Sequence, residues 1–204
     1  DGEKIKVFGA GRTDTGVHAL SQVAHFDLNT DLDTCNLIKA LNAHLSEDIL
    51  VESLDVVPAD FHARYSAQIR CYRYQCYTGN NVLFRNQSWI TGQLDQSILQ
   101  SVAETVVGEH DFLSFCKFRI DMKSTVCKIY ESVWKKQDKM LIYYVSGNRF
   151  LHHMVRYLTG TMVEISRGKF TIESFLNLLN NPEKNVQIFK APPQGLILYK
   201  VDYA

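Results

Sequence analysis

The chain has 204 residues, 46% of them hydrophobic, which is enough to bury a core as one large domain or two small ones. No apolar run approaches the roughly 18 residues of a membrane-spanning helix, and the first residues lack the apolar stretch of a secretory signal. Five cysteines, an odd number with no C-x-x-C pair, argue against a disulfide framework or a structural metal site. We therefore expect reduced thiols and a cytoplasmic protein.

The net charge is zero, but the charges are unevenly distributed along the chain. Residues 1–59 carry 4 basic and 10 acidic side chains, whereas residues 60–204 carry 18 and 12. Such asymmetry can create a basic surface for a polyanion such as a nucleic acid, although a solvated charged face produces the same counts. Charge alone leaves both interpretations open.

The hydrophobic pattern predicts strands and helices in irregular alternation. In the first part of the chain it predicts strands over 4–10, 21–28 and 49–57, and a helix capped by Asp33 with Leu37, Leu41 and Leu45 on one face. In the remainder it predicts strands over 69–78, 125–136, 140–147 and 196–203, and helices over 95–107, 149–165 and 172–179, the last capped by Thr171. Hairpins mixed with helices indicate an α+β fold with a mainly antiparallel sheet. We place a domain boundary near residue 60, between 1–59 and 60–204.

The stretch GAGRTDTGVHAL, residues 9–20, holds a single carboxylate, Asp14, in a glycine-rich turn two positions after Arg12. A structural turn, half of an aspartic-protease dyad and a lone nucleophile are the three interpretations. The dyad requires two Asp-Thr-Gly loops that share one proton, and this chain has one such loop. Arg12 also opposes a dyad, because a nearby guanidinium favours the charged carboxylate. The structural turn and the lone nucleophile both stay open on these residues.

Four longer stretches carry recognisable motifs: GRTDTGVHA (11–19), FHARYSAQIRCYRY (61–74), NRFLHHMVRYLTGTMVEI (148–165) and APPQGLILYKVDY (191–203). In order and spacing they resemble the TruA family of tRNA pseudouridine synthases. That family shows G-R-T-D-x-G-V-H-A, F-H-A-R-[FY]-S-A with R-x-Y-x-Y, F-L-x-x-M-V-R and A-P-x-x-G-L-x-L in the same order. The resemblance implies the pseudouridine synthase fold, two α+β halves that share a mainly antiparallel sheet with the catalytic cleft between them.

The resemblance also implies a role for each of four side chains. Asp14 matches the nucleophile, and Arg156 matches the helix arginine that pairs with it. Tyr72 matches the tyrosine that stacks on the target uracil. Arg12 matches the arginine that helps to displace the base, although from the residues alone Arg12 could equally be the partner of Asp14.

The implied reaction is the isomerisation of uridine to pseudouridine at positions 38 to 40 in the anticodon arm of tRNA. It involves no redox change and no group donor, so we expect no cofactor and no metal. The family acts as a homodimer.

The alternative is a non-catalytic RNA-binding or structural fragment, because the family opens with a Y-D-G-x-x-[FY]-x-G-W-Q segment and a helix, whereas this chain begins thirteen residues before Asp14. We expect that the chain lacks this segment and, without it, is a poor catalyst.

The remaining polar residues carry weaker expectations. His18 is expected to shape the turn. His152 and His153, adjacent in the predicted helix 149–165, are expected to face different sides of it, which makes them a poor metal pair and favours packing or RNA contact. Six basic side chains are candidate phosphate contacts: Arg64, Arg70, Arg73, Lys117, Arg119 and Lys123.

Overall fold

The computed structural model describes residues 4–203. Its helices are α1 (Thr34–His44), α2 (Gln96–Glu104), α3 (Met154–Ser166) and α4 (Ile172–Asn180). Its strands are β1 (Phe8–Gly9), β2 (His18–Ala19), β3 (Ala24–His25), β4 (Ala67–Tyr77), β5 (Trp89–Ile90), β6 (Gly108–Asp111), β7 (Val126–Gln137), β8 (Met140–Gly147) and β9 (Leu196–Tyr203). No helix among these is long and apolar enough to cross a membrane.

A seven-stranded sheet organises most of the chain. Its strand order is β2-β9-β4-β8-β7-β6, with β5 beside β4, and β1 pairs separately with β3. The pairs β2–β9 and β4–β5 are parallel, and the other pairs of this sheet are antiparallel. The α+β class and the mainly antiparallel sheet are therefore confirmed, whereas the division into 1–59 and 60–204 stays a prediction.

The core lies between the sheet and helices α2 and α3. The ring of Tyr74 is fully buried in this core, as are Leu158 and Met162 from α3. The hydroxyl of Tyr74 donates a hydrogen bond to the carbonyl of Pro192 over 2.8 Å, which ties β4 to the chain just before β9. Because β4 lies between β8 and β9, its position is held from both edges.

Locally encoded features agree with the sequence. Asp33 accepts a hydrogen bond from the Asn36 amide at 2.8 Å and caps α1, and Thr171 accepts one from the Ser174 amide at 3.1 Å and caps α4. Strands β7 and β8 form the predicted hairpin, whose turn contains Asp138 at φ 53°. These features depend on a few consecutive residues, so the pattern predicts them well.

The first sixty residues differ most from the sequence-based predictions. Two of the predicted strands are reduced to the two-residue strands β1 and β3, and residues 49–57, all of them described, form no strand. Helix α1 forms, but it has no buried residue. Alternation in the sequence predicts where a strand can form, but a strand forms only where another strand pairs with it, and here β1 and β3 pair over two residues each.

Candidate active site

The turn that carries Asp14 is anchored on both sides. Before it, the Ala10 amide donates to the carbonyl of Val23 over 2.7 Å, which joins the turn to the chain beside β3. After it, the Val17 amide donates to the carbonyl of Asp14 over 3.0 Å. Gly16 has φ +81°, a conformation that residues with a Cβ rarely adopt, so the tight turn requires glycine here. The carboxylate is thus presented from a defined backbone.

Arg156 is the closest partner of that carboxylate. Its Nη1 lies 2.6 Å from Asp14 Oδ2, and the two side chains are only 9% and 23% exposed. The Nε of Arg156 donates to the carbonyl of Ala191 over 2.8 Å, while the Ala191 amide donates back to the carbonyl of Arg156 over 2.9 Å. This reciprocal pair fixes the guanidinium on α3, so the charge that faces Asp14 is held in place before any substrate binds.

Two histidines complete the surroundings of Asp14. The Nε2 of His152 lies 3.4 Å from Oδ1, and the Nε2 of His153 lies 3.2 Å from Oδ2. The two rings are 3.9 Å apart. The expectation that these histidines sit on a helix and face different sides is therefore wrong.

The backbone explains this difference. Helix α3 begins at Met154, not at residue 149, and His153 precedes it with φ 65° in the left-handed region. The carbonyl of His152 accepts a hydrogen bond from the Lys117 amide at 2.9 Å, which holds the segment out of helical geometry. The non-helical turn swings both rings to the same side. Hydrophobic periodicity carries no information about such a turn, and the family motif leaves both positions unspecified, so no sequence signal pointed to them.

Tyr72 lies on β4 within reach of the charge on Asp14. Burial raises the pKa of its hydroxyl to about 12, Arg70 opposes that rise, and the negative charge of Asp14 adds to it. The ring contacts Phe150 edge-on, with 5.1 Å between the ring centroids. Because a tyrosine with this pKa keeps its proton at neutral pH, Tyr72 presents an uncharged aromatic ring near the carboxylate.

Arg12 does not pair with Asp14. Its side chain is exposed, and no ion pair joins it to any described carboxylate. The sequence allowed Arg12 to be the ion-pair partner of Asp14, but in the structure Arg156 is that partner. Arg12 is therefore available to a ligand that approaches the turn from solvent.

The six candidate phosphate contacts differ in what they contact. The guanidinium of Arg70 donates to the carbonyls of Ala67 and Asn148, and that of Arg119 is bound to Asp121 at 2.8 Å. The guanidinium of Arg73 lies over the ring of Tyr199. The three others are exposed: Arg64, Lys117 and Lys123.

His18 has a structural contact that fits its expected role. Its Nε2 lies 2.8 Å from the carbonyl oxygen of Asn86, so the ring connects the strand after the Asp14 turn to the loop before β5.

Asp14, His152 and His153 could also be considered as metal ligands, because their ligand atoms all lie within 4.8 Å of one another. Arg156 opposes this assignment. Its guanidinium contacts the same carboxylate at 2.6 Å, and a second positive charge there would be repelled. We assign the cluster no metal.

Comparison with known proteins gives a consistent result. A family model described as tRNA pseudouridine synthase matches residues 1–66 and 102–204, which is more than half of the chain. The tRNA pseudouridine synthase A of Dictyoglomus turgidum is 40% identical over 206 residues, which cover 98% of this chain and 84% of that protein. The proteins of the same name from Chlorobium limicola and a Geobacillus strain are 39% and 37% identical, over 98% and 99% of this chain and 83% of each relative. Tyr72 lies between the two matched parts of the family model but within the span covered by these relatives.

Proposed function

The chain belongs to the tRNA pseudouridine synthase family, and we propose that it converts uridine to pseudouridine in the anticodon arm of tRNA with Asp14 as the nucleophile. The observation that carries this proposal is the ion pair between Asp14 and Arg156, which presents one partly exposed carboxylate from a rigid turn. The finer assignment, to positions 38 to 40 of the tRNA, rests on the family resemblance.

The reaction needs a carboxylate that is ionised and aimed at the substrate. It breaks the bond between uracil and ribose, turns the base, and rejoins it to the sugar through C5. A free aspartate is already charged at neutral pH, but burial without a partner would penalise that charge. Arg156 removes this penalty because it holds an opposite charge 2.6 Å from Oδ2. The guanidinium of Arg156 donates its hydrogen bond to Oδ2, so Oδ1 is the oxygen that we assign to the attack.

Tyr72 suits the recognition of a base that has left its stack. Extruding a nucleotide costs a few kcal/mol, and stacking on an aromatic ring returns about 1–3 kcal/mol per base. The ring of Tyr72 is neutral, close to Asp14 and backed by Phe150. Arg12, exposed on the turn, is placed to contact the displaced nucleotide from the solvent side.

The charge distribution fits an RNA substrate. The 18 basic and 12 acidic residues of 60–204 form the basic part of the chain, and Arg64, Lys117 and Lys123 are exposed within it. Lysine and arginine side chains of this kind contribute most of the salt-dependent affinity for phosphates. That the protein acts in the cytoplasm and as a homodimer follows from the resemblance, and light scattering of the purified protein would test the second point.

The substitution Asp14→Asn tests the nucleophile. The amide has nearly the same size but no charge, so we expect tRNA binding within a few-fold of the parent and no detectable release of tritium from C5-labelled uridine in tRNA. Asp27→Asn, which alters an exposed carboxylate farther along the chain, is the matched control and should release tritium at the rate of the parent protein.

Each outcome has one interpretation. Turnover by the Asp14→Asn variant would show that the nucleophile is misassigned. A parent protein that binds tRNA but releases no tritium would favour a non-catalytic RNA-binding chain. Transcripts in which each of positions 38 to 40 is replaced in turn by cytidine would show which uridines are modified.

A further inference from the structure

His152 lies on the solvent-exposed side of Asp14, and the proposed function gives it no role. Its side chain is 40% exposed, whereas that of His153 is 12% exposed. The Lys117 amide holds the carbonyl of His152, so the main chain that carries the ring is anchored although the ring faces solvent. An accessible imidazole 3.4 Å from the carboxylate of a proposed nucleophile is positioned to touch the substrate.

The proposed reaction contains a proton transfer for which Asp14 is not the evident acceptor. When C5 bonds to the ribose carbon, the bond between that carbon and the Asp14 carboxylate breaks and its electron pair returns to the carboxylate. C5 then carries both the sugar and its original hydrogen, and the ring holds a C6–N1 double bond. The C5–H bond then breaks, its electron pair forms the C5–C6 double bond, and the C6–N1 pair returns to N1, which takes up a proton. The hydrogen from C5 must leave as a proton to a base near the ribose carbon, and hence near Asp14.

The other groups around Asp14 are poor acceptors. Arg12 and Arg156 have no lone pair to offer. The hydroxyl of Tyr72 keeps its proton, because burial raises its pKa to about 12. His153 is shielded, and burial lowers its pKa to about 4 against the opposing charge of Asp14, which makes it a weak base. His152 is the remaining group with a nitrogen lone pair, and it is exposed beside Asp14 with its Nε2 3.4 Å from Oδ1, which leaves it as the suitable base.

We propose that His152 accepts the proton that leaves C5 of the uracil, and that His153 is a positioning residue for Asp14. This inference rests on the proposed function. In the substitution His152→Ala, proton removal from C5 becomes the slow step, and we expect turnover to fall by about 10²–10⁴-fold, the usual contribution of a general base.

The test compares tRNA transcripts with protium or deuterium at C5 of uridine. Single-turnover formation of pseudouridine is followed by mass spectrometry with the enzyme in excess. His152→Ala should show a larger primary isotope effect than the parent protein, and added imidazole should restore part of its rate. His153→Asn is the matched control, because asparagine tolerates the left-handed backbone at this position. We expect it to be slower, with the isotope effect of the parent and no rescue.

Three results would overturn the inference. His152→Ala could be as fast as the parent, or slow with the same rate on both transcripts, or slow without rescue by imidazole. In the second and third cases His152 would only help to position the reacting groups, and Asp14 itself would be the next candidate acceptor of the C5 proton. A parent protein that forms no pseudouridine would instead overturn the proposed function, and this inference with it.

Discussion

Replacing Gly160 by alanine should disturb the active site from behind α3. An added Cβ at Gly160 would overlap the carbonyl oxygen of Phe189 and lie 2.7 Å from the Ala191 amide nitrogen. Both are main-chain atoms, so the overlap cannot be relieved by rotation of a side chain. The segment around Ala191 must shift outward, and its carbonyl is the acceptor that orients Arg156.

The magnitude follows from this geometry. An ordinary Cβ contact lies at 3.4–4 Å, so relief of the overlap needs a shift of about 1 Å in the segment or in α3. Overpacking of this kind costs about 1–3 kcal/mol. In a domain of this size each kcal/mol lowers the melting temperature by about 2–4 °C. A displacement of about 1 Å between catalytic groups can cost on the order of a hundredfold in rate, so turnover should fall by up to that factor.

The measurements are the melting temperature, tRNA affinity and single-turnover rate of Gly160→Ala beside the parent. Gly11→Ala is the control for stability, because its added Cβ meets nothing within 4 Å and its melting temperature should not fall. A Gly160→Ala variant with the stability and turnover of the parent would show that the contact between α3 and the segment around Ala191 does not hold Arg156 in place.

Three further predictions concern the side chains around Asp14. Tyr72→Leu should reduce turnover far more than Tyr72→Phe, because stacking needs the ring and not the hydroxyl; Tyr74→Leu should instead lower the melting temperature, and equal turnover for both Tyr72 variants would exclude the stacking role. Arg156→Lys keeps the charge but loses the planar donor set, so turnover should drop about tenfold to a hundredfold, as expected for one charge-assisted hydrogen bond, and an unchanged rate would contradict the need for a guanidinium. Burial lowers the pKa of His153 from 6.5 to about 4. As the pH falls, the imidazole of His153 is therefore protonated in the unfolded chain at a higher pH than in the folded protein. The stability that neutral His153 contributes is present above about pH 6.5 and is lost as the pH falls towards about 4. In His153→Asn the melting temperature should therefore fall less than in the parent protein as the pH is lowered over that window. If the ring were instead charged in the folded protein, calorimetry would show a larger fall in the variant.

The sequence determined the features that depend on neighbouring residues. The caps at Asp33 and Thr171, the β7–β8 hairpin and the long strands β4 and β9 all follow from local pattern and turn chemistry. The glycine-rich turn around Asp14 was evident for the same reason. The four motifs added the family and, with it, the expectation that Asp14 and Arg156 meet, which the ion pair between them matches.

Tertiary structure decided which side chains from distant segments of the chain contact one another. Periodicity tells which face of an element is apolar, but not where the element begins or what packs against it. Helix α3 begins at Met154, after His153 in the left-handed region and after His152, whose carbonyl accepts a hydrogen bond from the distant Lys117 amide. In this turn both histidine rings lie beside Asp14. Arg70 was a candidate phosphate contact in the sequence, yet its guanidinium donates to the carbonyl of Ala67 and to that of the distant Asn148. These outcomes depend on contacts between residues far apart in the chain, because the carboxylate and its partners come from segments that only the packed sheet and α3 bring together.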